Sequence, residues 1–255
     1  MEDAARMEEL LAVLEQDKNV PQNTYVMVTE KAEDILATEE KLGEPLGNYL
    51  EEMIENASHV KKDVCPTLGM LYQEKENRLE TLYIPYLEVN EDKPAIAKYE
   101  VWKRGAAAGI VDTDVAMLSF FLCNQLQEYT LKLEENHFIT LSSAGNEFTF
   151  SEEIAKSGIT EKHVKVKVAC EGELLYQQEK FSGQENRKNL ERQIAEYFAE
   201  TSERALQQGI DVTNGYKKIG GYQRDWYEKY SDEPQFWEED IVIDFTFQIN
   251  WTNLD

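Results

Sequence analysis

The residues that could carry chemistry are three histidines, three cysteines and several acidic clusters. His59, His137 and His163 lie far apart, so no two of them have the HExxH spacing of a zinc-binding helix. The cysteines are odd in number and widely spaced, with no CxxC pair, which favours buried thiols over a metal site or a disulfide framework. The sequence contains no P-loop, no GxGxxG turn and no GxSxG elbow. These patterns predict a protein that is not an enzyme and holds no cofactor.

Acidic side chains dominate the charge of the chain. Aspartate and glutamate number 50 against 26 lysines and arginines, which gives a formal net charge of −24. Asp112–Asp114 and Glu238–Asp240 could supply oxygen ligands to a hard cation, but neither has the spacing and glycine of an EF-hand loop. At this charge such clusters are expected on a solvated surface, so no metal site is predicted. The negative field also disfavours nucleic acid and anionic lipid as partners.

Aromatic residues concentrate in one part of the chain. They are Tyr216, Tyr222, Trp226, Tyr227, Tyr230, Phe236 and Trp237. Tyrosine and tryptophan rings on a surface commonly contact proteins or sugars, but they also pack in cores and leave a polar tip in water. Core packing is the first interpretation. A binding face, or a pocket lined by these rings, is the alternative.

The elements that must position these residues begin with helices. Apolar residues recur at three- and four-residue steps from Ala4 to Leu14 and from Leu46 to Ala57, which predicts two amphipathic helices. Thr24–Thr29 is rich in β-branched and aromatic residues and is predicted to be a short buried strand. Leu79–Val89 has strand composition, and Pro85 within it indicates an edge or a bulge.

A change of pattern near residue 94 suggests two domains. The acidic, proline-terminated segment 90–94 is the best linker candidate, so the predicted domains are 1–94 and 95–255. In the second domain, His163–Cys170 and Ile241–Trp251 alternate apolar and polar residues, as half-buried strands do. Such alternation favours an antiparallel sheet. Ser119–Leu131 is predicted to be a helix.

A long helix is predicted between the two alternating strands. Ser182 and Glu185 fit a capping box at its start, and Gly209 suits the left-handed position after its end. Asp211 follows, and a short acidic side chain there can accept backbone hydrogen bonds and fix the turn. The predicted fold class is α+β: an antiparallel β-sheet with packed helices, one of them long, preceded by a smaller mixed α/β region.

Three segments in this order resemble the Ger(x)C family of spore germination proteins. The family's helix-strand-helix passage is similar to AARMEELLAVLEQDKNVPQNTYVMVTEKAEDILATEE. Its Gly-x-Ala-x-Phe strand, hairpin and following helix resemble WKRGAAAGIVDTDVAMLSFFLCNQLQEYTLKL, where Gly105 and Ala107 match. Its long helix, turn aspartate, tryptophan-bearing segment and closing strand resemble LERQIAEYFAETSERALQQGIDVTNGYKKIGGYQRDWYEKY and IVIDFTFQINW, where Asp211 and Trp226 match.

Other features of that family are absent or altered in this sequence. Family members begin with a secretory signal and a lipobox cysteine, whereas the first cysteine here is Cys65. The phenylalanine of the Gly-x-Ala-x-Phe pattern falls at Gly109 or Ile110, and the phenylalanine-glycine pattern after the turn aspartate is kept only loosely by Tyr216 and Gly220. We expect either an N-terminally truncated ectodomain or a divergent member.

The resemblance implies a non-catalytic subunit of the nutrient-germinant receptor. The complete protein would be lipid-anchored at the outer face of the spore inner membrane and would contact the integral-membrane A and B subunits. This chain alone, without an acyl anchor or a basic surface, is expected to be soluble and monomeric. The candidate structural or interaction residues are Gly105, Asp211, Tyr216, Trp226 and Trp237. The alternative function is an extracytoplasmic ligand-binding module with an aromatic-lined pocket.

Overall fold

The computed structural model describes residues 2–17, 19–56, 64–77, 81–133, 138–154, 156, 158, 160–175, 184–222, 224–230 and 241–252. These residues divide into two compact units, the first ending at Ala116 and the second beginning at Met117. Helices and antiparallel strands occur in both units, and one helix is much longer than the others. The α+β fold class predicted from the sequence is therefore confirmed. None of the described helices combines the length and the apolar character needed to cross a membrane.

In the first unit a group of helices precedes a small sheet. The helices are α1 Glu2–Gln16, α2 Ala32–Ala37, α3 Glu39–Leu42, α4 Leu46–Asn56 and α5 Leu68–Asn77. The strands are β1 Thr81–Asn90, β2 Lys93–Lys103 and β3 Ala106–Asp112, which pair antiparallel in the order β1-β2-β3. Periodicity predicts α1 and α4 at these places, and residue composition predicts β1.

The predicted strand at Thr24–Thr29 is wrong, because this segment makes only isolated bridges. The Val28 amide donates to the Pro85 carbonyl at 3.0 Å, and the Val28 carbonyl accepts from the Leu87 amide at 2.8 Å. The side chains of Val26 and Val28 pack against the apolar core of this unit. The β-branched composition therefore indicates a half-buried extended segment, which does not require a continuous ladder.

Pro85 lies in β1, an outer strand of the first sheet. A shift of register follows it, between Tyr86 and Leu87. An outer strand suits proline because the missing N–H group can face away from the neighbouring strand. The edge and the bulge that the sequence indicates are both present.

The division between the units differs from the predicted boundary at residue 94. Residues 90–93 form the hairpin loop between β1 and β2, in which Glu91 and Asp92 have positive φ angles of 48° and 68°. Two consecutive residues of this kind are typical of the type I′ turn that joins antiparallel strands. The acidic, proline-terminated composition therefore marks a tight turn within a sheet, and the division follows Ala116.

The second unit is built around a four-stranded sheet, and the helix α6 Thr113–Leu122 spans the division that follows Ala116. The elements after α6 are β4 Glu128–Lys132, β5 Phe138–Ile154, β6 Thr160–Leu174, α7 Gln184–Leu206, α8 Gly215–Tyr222, α9 Arg224–Tyr230 and β7 Ile241–Trp251. The strand order is β4-β5-β6-β7, with β4, β5 and β6 antiparallel and β7 parallel to β6. A parallel neighbour requires a long crossover, and the chain between β6 and β7, which includes α7, provides it. Alternation of apolar residues could not give the direction of this last strand.

The predicted helix at Ser119–Leu131 ends much earlier than expected. α6 stops at Leu122, and Asn124 then adopts a left-handed φ of 58°. The side-chain amide of Asn146 donates to the carbonyls of Phe121 and Leu122 at 3.2 and 3.0 Å. These carbonyls belong to the last turn of the helix, where no intrahelical partner is available. The rest of the predicted helix is loop and the strand β4.

An aromatic cluster around Phe198 holds the long helix α7 on the sheet. Phe198 is fully buried, and its ring lies edge-on to Phe245 and Phe247 of β7, with centroids 5.5 and 4.8 Å away. Phe121 and Tyr129 pack on the same ring, each at 6.0 Å. Such aromatic pairs contribute about 0.5–1.5 kcal/mol beyond their area burial. The terminal strand β7 therefore lies beneath the long helix.

Candidate functional site

The end of α7 prepares the turn that contains the predicted aspartate. The Gly209 amide donates to the Leu206 carbonyl at 2.8 Å, and the Ile210 amide donates to the Ala205 carbonyl at 2.9 Å. This pair of bonds, with a φ of 70° at Gly209, is the Schellman motif of a helix C-terminus. Ile210 and Asp211 follow, and both are buried. Gly209 therefore occupies the position after the helix that the sequence predicts for it.

Asp211 is a buried carboxylate, only 3% exposed, at the centre of residues 209–215, which we call the Asp211 turn. Its Oδ1 accepts hydrogen bonds from the Thr213 amide at 2.8 Å and from the Thr213 hydroxyl at 2.6 Å. Its Oδ2 accepts from the amide of Gly215, the first residue of α8, at 2.8 Å. One side chain thus fixes the turn and also satisfies an amide at the start of the next helix.

Lys218 of α8 folds back onto the Asp211 turn. Its ammonium group donates to the Thr213 carbonyl. The same group lies 4.1 Å from the centre of the Phe148 ring and 3.7 Å from the sulfur of Cys123. A cation over an aromatic face contributes about 0.5–2 kcal/mol, depending on how far it is desolvated. The lysine therefore ties the turn to β5 and to the residue that follows α6.

Gly105 lies in the hairpin loop between β2 and β3 of the first unit. Arg104 and Gly105 have positive φ angles of 52° and 77°. A Cβ atom at Gly105 would lie 3.2 Å from the Cα of Lys75 in α5. The buried Glu74 carboxylate accepts the Arg104 amide at 3.0 Å. Glycine suits this position because the loop needs a left-handed conformation and the helix backbone approaches closely.

The five candidate residues do not all lie in one unit. Gly105 belongs to the first unit, whereas Asp211, Tyr216 and Trp226 follow one another through the turn, α8 and α9 of the second. Tyr216 is half-buried. Phe236 and Trp237 lie outside the described residues, whereas the other aromatics that would line the alternative pocket belong to α8 and α9. Clefts of about 260 and 520 Å³ open beside β1 and across β6 and β7, and no described residue of α8 or α9 is among the residues that line them.

The histidines give no metal centre in the part of the chain that the structure describes. His163 lies on β6, with Nε2 at 3.6 Å from the Glu161 carboxylate and Nδ1 at 3.4 Å from the Asp244 carboxylate. His59 and His137 lie outside the described residues. Among those described, no group of three or more histidine, cysteine, aspartate or glutamate residues could hold a metal ion.

The cysteines differ in their environments. Cys65 and Cys170 are buried, and this burial raises the pKa of each thiol to about 12. Both thiols therefore stay protonated and unreactive near neutral pH. Cys123 is only half-buried, which corrects the expectation that all three thiols are buried.

Sequence reasoning missed several residues that position these features. Thr213 could have been found, because a threonine two residues after an aspartate is a common partner in such turns. Gly172, an isolated glycine in the β6 pattern, could have indicated a close approach, since a Cβ there would lie 2.6 Å from Cγ2 of Ile249. Asn146 had no usable signal, because the helix end that it caps lies far away in the sequence.

Comparison with known proteins finds one matching domain model and one similar solved structure. Residues 1–89 match the model of the spore germination protein N-terminal domain. The crystal structure of the GerBC protein has a similar fold, with a TM-score of 0.67 and 14% sequence identity over 97% of this chain and 74% of that chain. No significant match was found among curated proteins. The first 89 residues therefore resemble a spore germination protein N-terminal domain, and the fold over nearly the whole chain resembles that of GerBC, in agreement with the Ger(x)C resemblance of the sequence.

Proposed function

We propose that the chain is a non-catalytic subunit of the receptor that starts spore germination in response to nutrients. In its complete form the protein is lipid-anchored at the outer face of the spore inner membrane, where it contacts the integral-membrane A and B subunits. The observation that carries the proposal is the match of residues 1–89 to a germination-protein domain, combined with the fold that GerBC shares over 97% of this chain.

The chemistry of the described residues suits a protein that acts by contact. Burial raises the pKa of Tyr72, Tyr86 and Tyr99, as it raises that of the two buried thiols. A raised pKa keeps each of these groups protonated near neutral pH. General bases and nucleophiles work instead when their pKa lies near the operating pH, so these groups favour packing over catalysis.

The Asp211 turn offers a physical route by which a contact could be relayed within the second unit. α7 is held on the sheet by Phe198, and the Asp211 carboxylate joins the end of α7 to the start of α8. Tyr216 and Trp226 lie on α8 and α9. A partner that binds α8 and α9 more tightly in one conformation of this chain would favour that conformation, and α7 and the sheet would follow through the Asp211 turn. We therefore assign the partner contact to α8 and α9.

Co-purification from spore membranes tests this proposal. The tagged complete protein should retain the A and B subunits after gentle detergent extraction. Trp226→Ala should reduce the retained amount of both subunits, and the melting temperature of the purified chain, measured alongside, separates a lost contact from a destabilised fold. Glu200→Ala, at an exposed position of α7, is the matched control and should retain both subunits. If Trp226→Ala retains both subunits, the partner contact lies elsewhere on the chain. If the wild-type protein retains neither subunit, the proposed function is contradicted.

A further inference from the structure

The proposed function leaves the outer edge of β7 without a role. β7 is the last strand of the sheet β4-β5-β6-β7, and within the described residues no strand lies on its other side. A strand paired on one side only directs the N–H and C=O groups of alternate residues outward, where they can pair with another strand. Outer strands are commonly protected by lysine, proline or a bulge. β7 has none of these over its 11 residues.

We propose that this edge pairs antiparallel with the same edge of a second copy of the chain. Full overlap of two such 11-residue strands places a two-fold axis at their midpoint, Thr246. On the face that α7 covers, apolar residues then lie opposite apolar residues. These pairs are Phe245 with Phe247, Ile243 with Ile249, and Ile241 with Trp251. Cross-strand pairs of aromatic and β-branched residues are the stabilising unit of antiparallel sheets.

The open face of the strand supports the same register. Asp244 is the only charged residue of β7, and full overlap places it opposite Gln248. Thr246 lies opposite itself, and paired threonines are favourable across strands. A register centred on Asp244 would instead place two carboxylates directly opposite each other, which is destabilising. The charge pattern of the strand therefore permits the register that also gives the longest ladder.

The net charge of the chain opposes this association. Two copies of a chain with a net charge of −24 repel each other, and this repulsion favours the monomer that the sequence analysis expects. The repulsion between exposed charges is screened over about 8–10 Å at physiological salt. Pairing along 11 residues makes short-range contacts over a length of roughly 36 Å, at about 3.3 Å per residue. The dimer should therefore become tighter as salt concentration rises.

Charge substitutions at Gln248 test the proposed register. Gln248→Lys places a lysine opposite Asp244 of the second copy, and Gln248→Glu places a carboxylate there. The two-fold axis creates each contact twice. The dissociation constant, measured by sedimentation equilibrium, should therefore fall by roughly 2- to 30-fold in Gln248→Lys and rise by a similar factor in Gln248→Glu. Thr149→Lys and Thr149→Glu are the matched controls, since Thr149 is exposed on β5 and the changes in net charge are the same. Equal changes of the dissociation constant for the Gln248 and Thr149 variants would mean that only the net charge matters, and would overturn the proposed register.

A cysteine crosslink at the two-fold axis provides a second test. Thr246→Cys, in a Cys123→Ser background, should form a disulfide-linked dimer, because directly opposite Cβ atoms lie about 4.5–5.5 Å apart, close to disulfide range. Thr149→Cys in the same background should stay monomeric. A wild-type chain that is monomeric at every salt concentration, with no crosslink in the Thr246→Cys variant, would refute the proposal. Crosslinking of that variant to a different spore protein would also refute it, because the edge would then have another partner.

Discussion

Replacing Asp211 by alanine removes the carboxylate that accepts three hydrogen bonds between α7 and α8. The amides of Thr213 and Gly215 and the hydroxyl of Thr213 would lose a buried acceptor. A hydrogen bond to a charged group contributes about 1.5–3 kcal/mol, and a buried donor left unpaired costs about 1–3 kcal/mol. The turn can relax and admit water to the space that the side chain leaves, so the three losses do not add in full. We expect the free energy of unfolding to fall by about 3–5 kcal/mol.

Two matched variants separate the parts of this effect. Asp211→Asn keeps an oxygen acceptor for Thr213 but places an amide donor against the Gly215 amide, so we expect a smaller loss of about 1–3 kcal/mol. Glu200→Ala removes one negative charge at an exposed site of α7 and should change stability by less than about 0.5 kcal/mol. Urea unfolding followed by circular dichroism measures the three variants, provided that the slope with denaturant stays constant.

Germination provides a second measurement on the same variants. If the role of Asp211 is to fix the turn, germination should decline only in proportion to the lower amount of protein in spores. Wild-type stability in Asp211→Ala would refute the hydrogen-bond argument. Normal stability and abundance with failed germination would show instead that Asp211 contacts a partner.

The remaining predictions concern packing, capping, thiols and membranes. Gly172→Ala should lower the unfolding free energy by about 1–3 kcal/mol in the urea assay, because the added methyl would lie 2.6 Å from Cγ2 of Ile249; an unchanged value would mean that β7 shifts without cost. Ser182 lies outside the described residues, and if it caps α7, Ser182→Ala should cost about 0.5–2 kcal/mol, whereas an unchanged melting temperature would place the helix start elsewhere. Burial raises the pKa of the Cys65 and Cys170 thiols from 9.0 to about 12, so their contribution to stability is complete below pH 9 and is lost as the pH rises toward 12. Alanine at both positions should make the alkaline loss of stability shallower, and an identical slope would remove the thiols as its cause. The chain should not float with anionic vesicles at low salt, and robust co-flotation would reveal a membrane-binding face.

Local chemistry explains the parts of the fold that the sequence predicts well. α1 and α4 follow the helical period, and β7 follows the strand period, because each buries one face and leaves the other in water. Gly209 ends α7 because glycine accepts the left-handed conformation without steric cost. The role of Asp211 is also predictable from local sequence, since the groups that donate hydrogen bonds to its carboxylate lie within four residues of it.

Contacts between distant segments explain the parts that sequence patterns predicted poorly. The lysine of α8 meets Phe148 and Cys123, and Gly105 meets α5, through approaches that no local spacing encodes. α6 ends where Asn146 of β5 reaches its last carbonyls. The acidic segment 90–94 could be a linker or a turn, and only the pairing of β1 with β2 decides which.

The sequence by itself determined the family resemblance, the α+β class, the long helix and the turn that follows it, because these depend on residue types and on short-range periodicity. Tertiary structure alone decided that β7 runs parallel to β6 and that the first unit extends to Ala116. A strand has the same alternation of side chains in either direction. Its direction is set by the crossover through α7 and by the burial of Phe245 and Phe247 against Phe198, which exist only once the chain has folded.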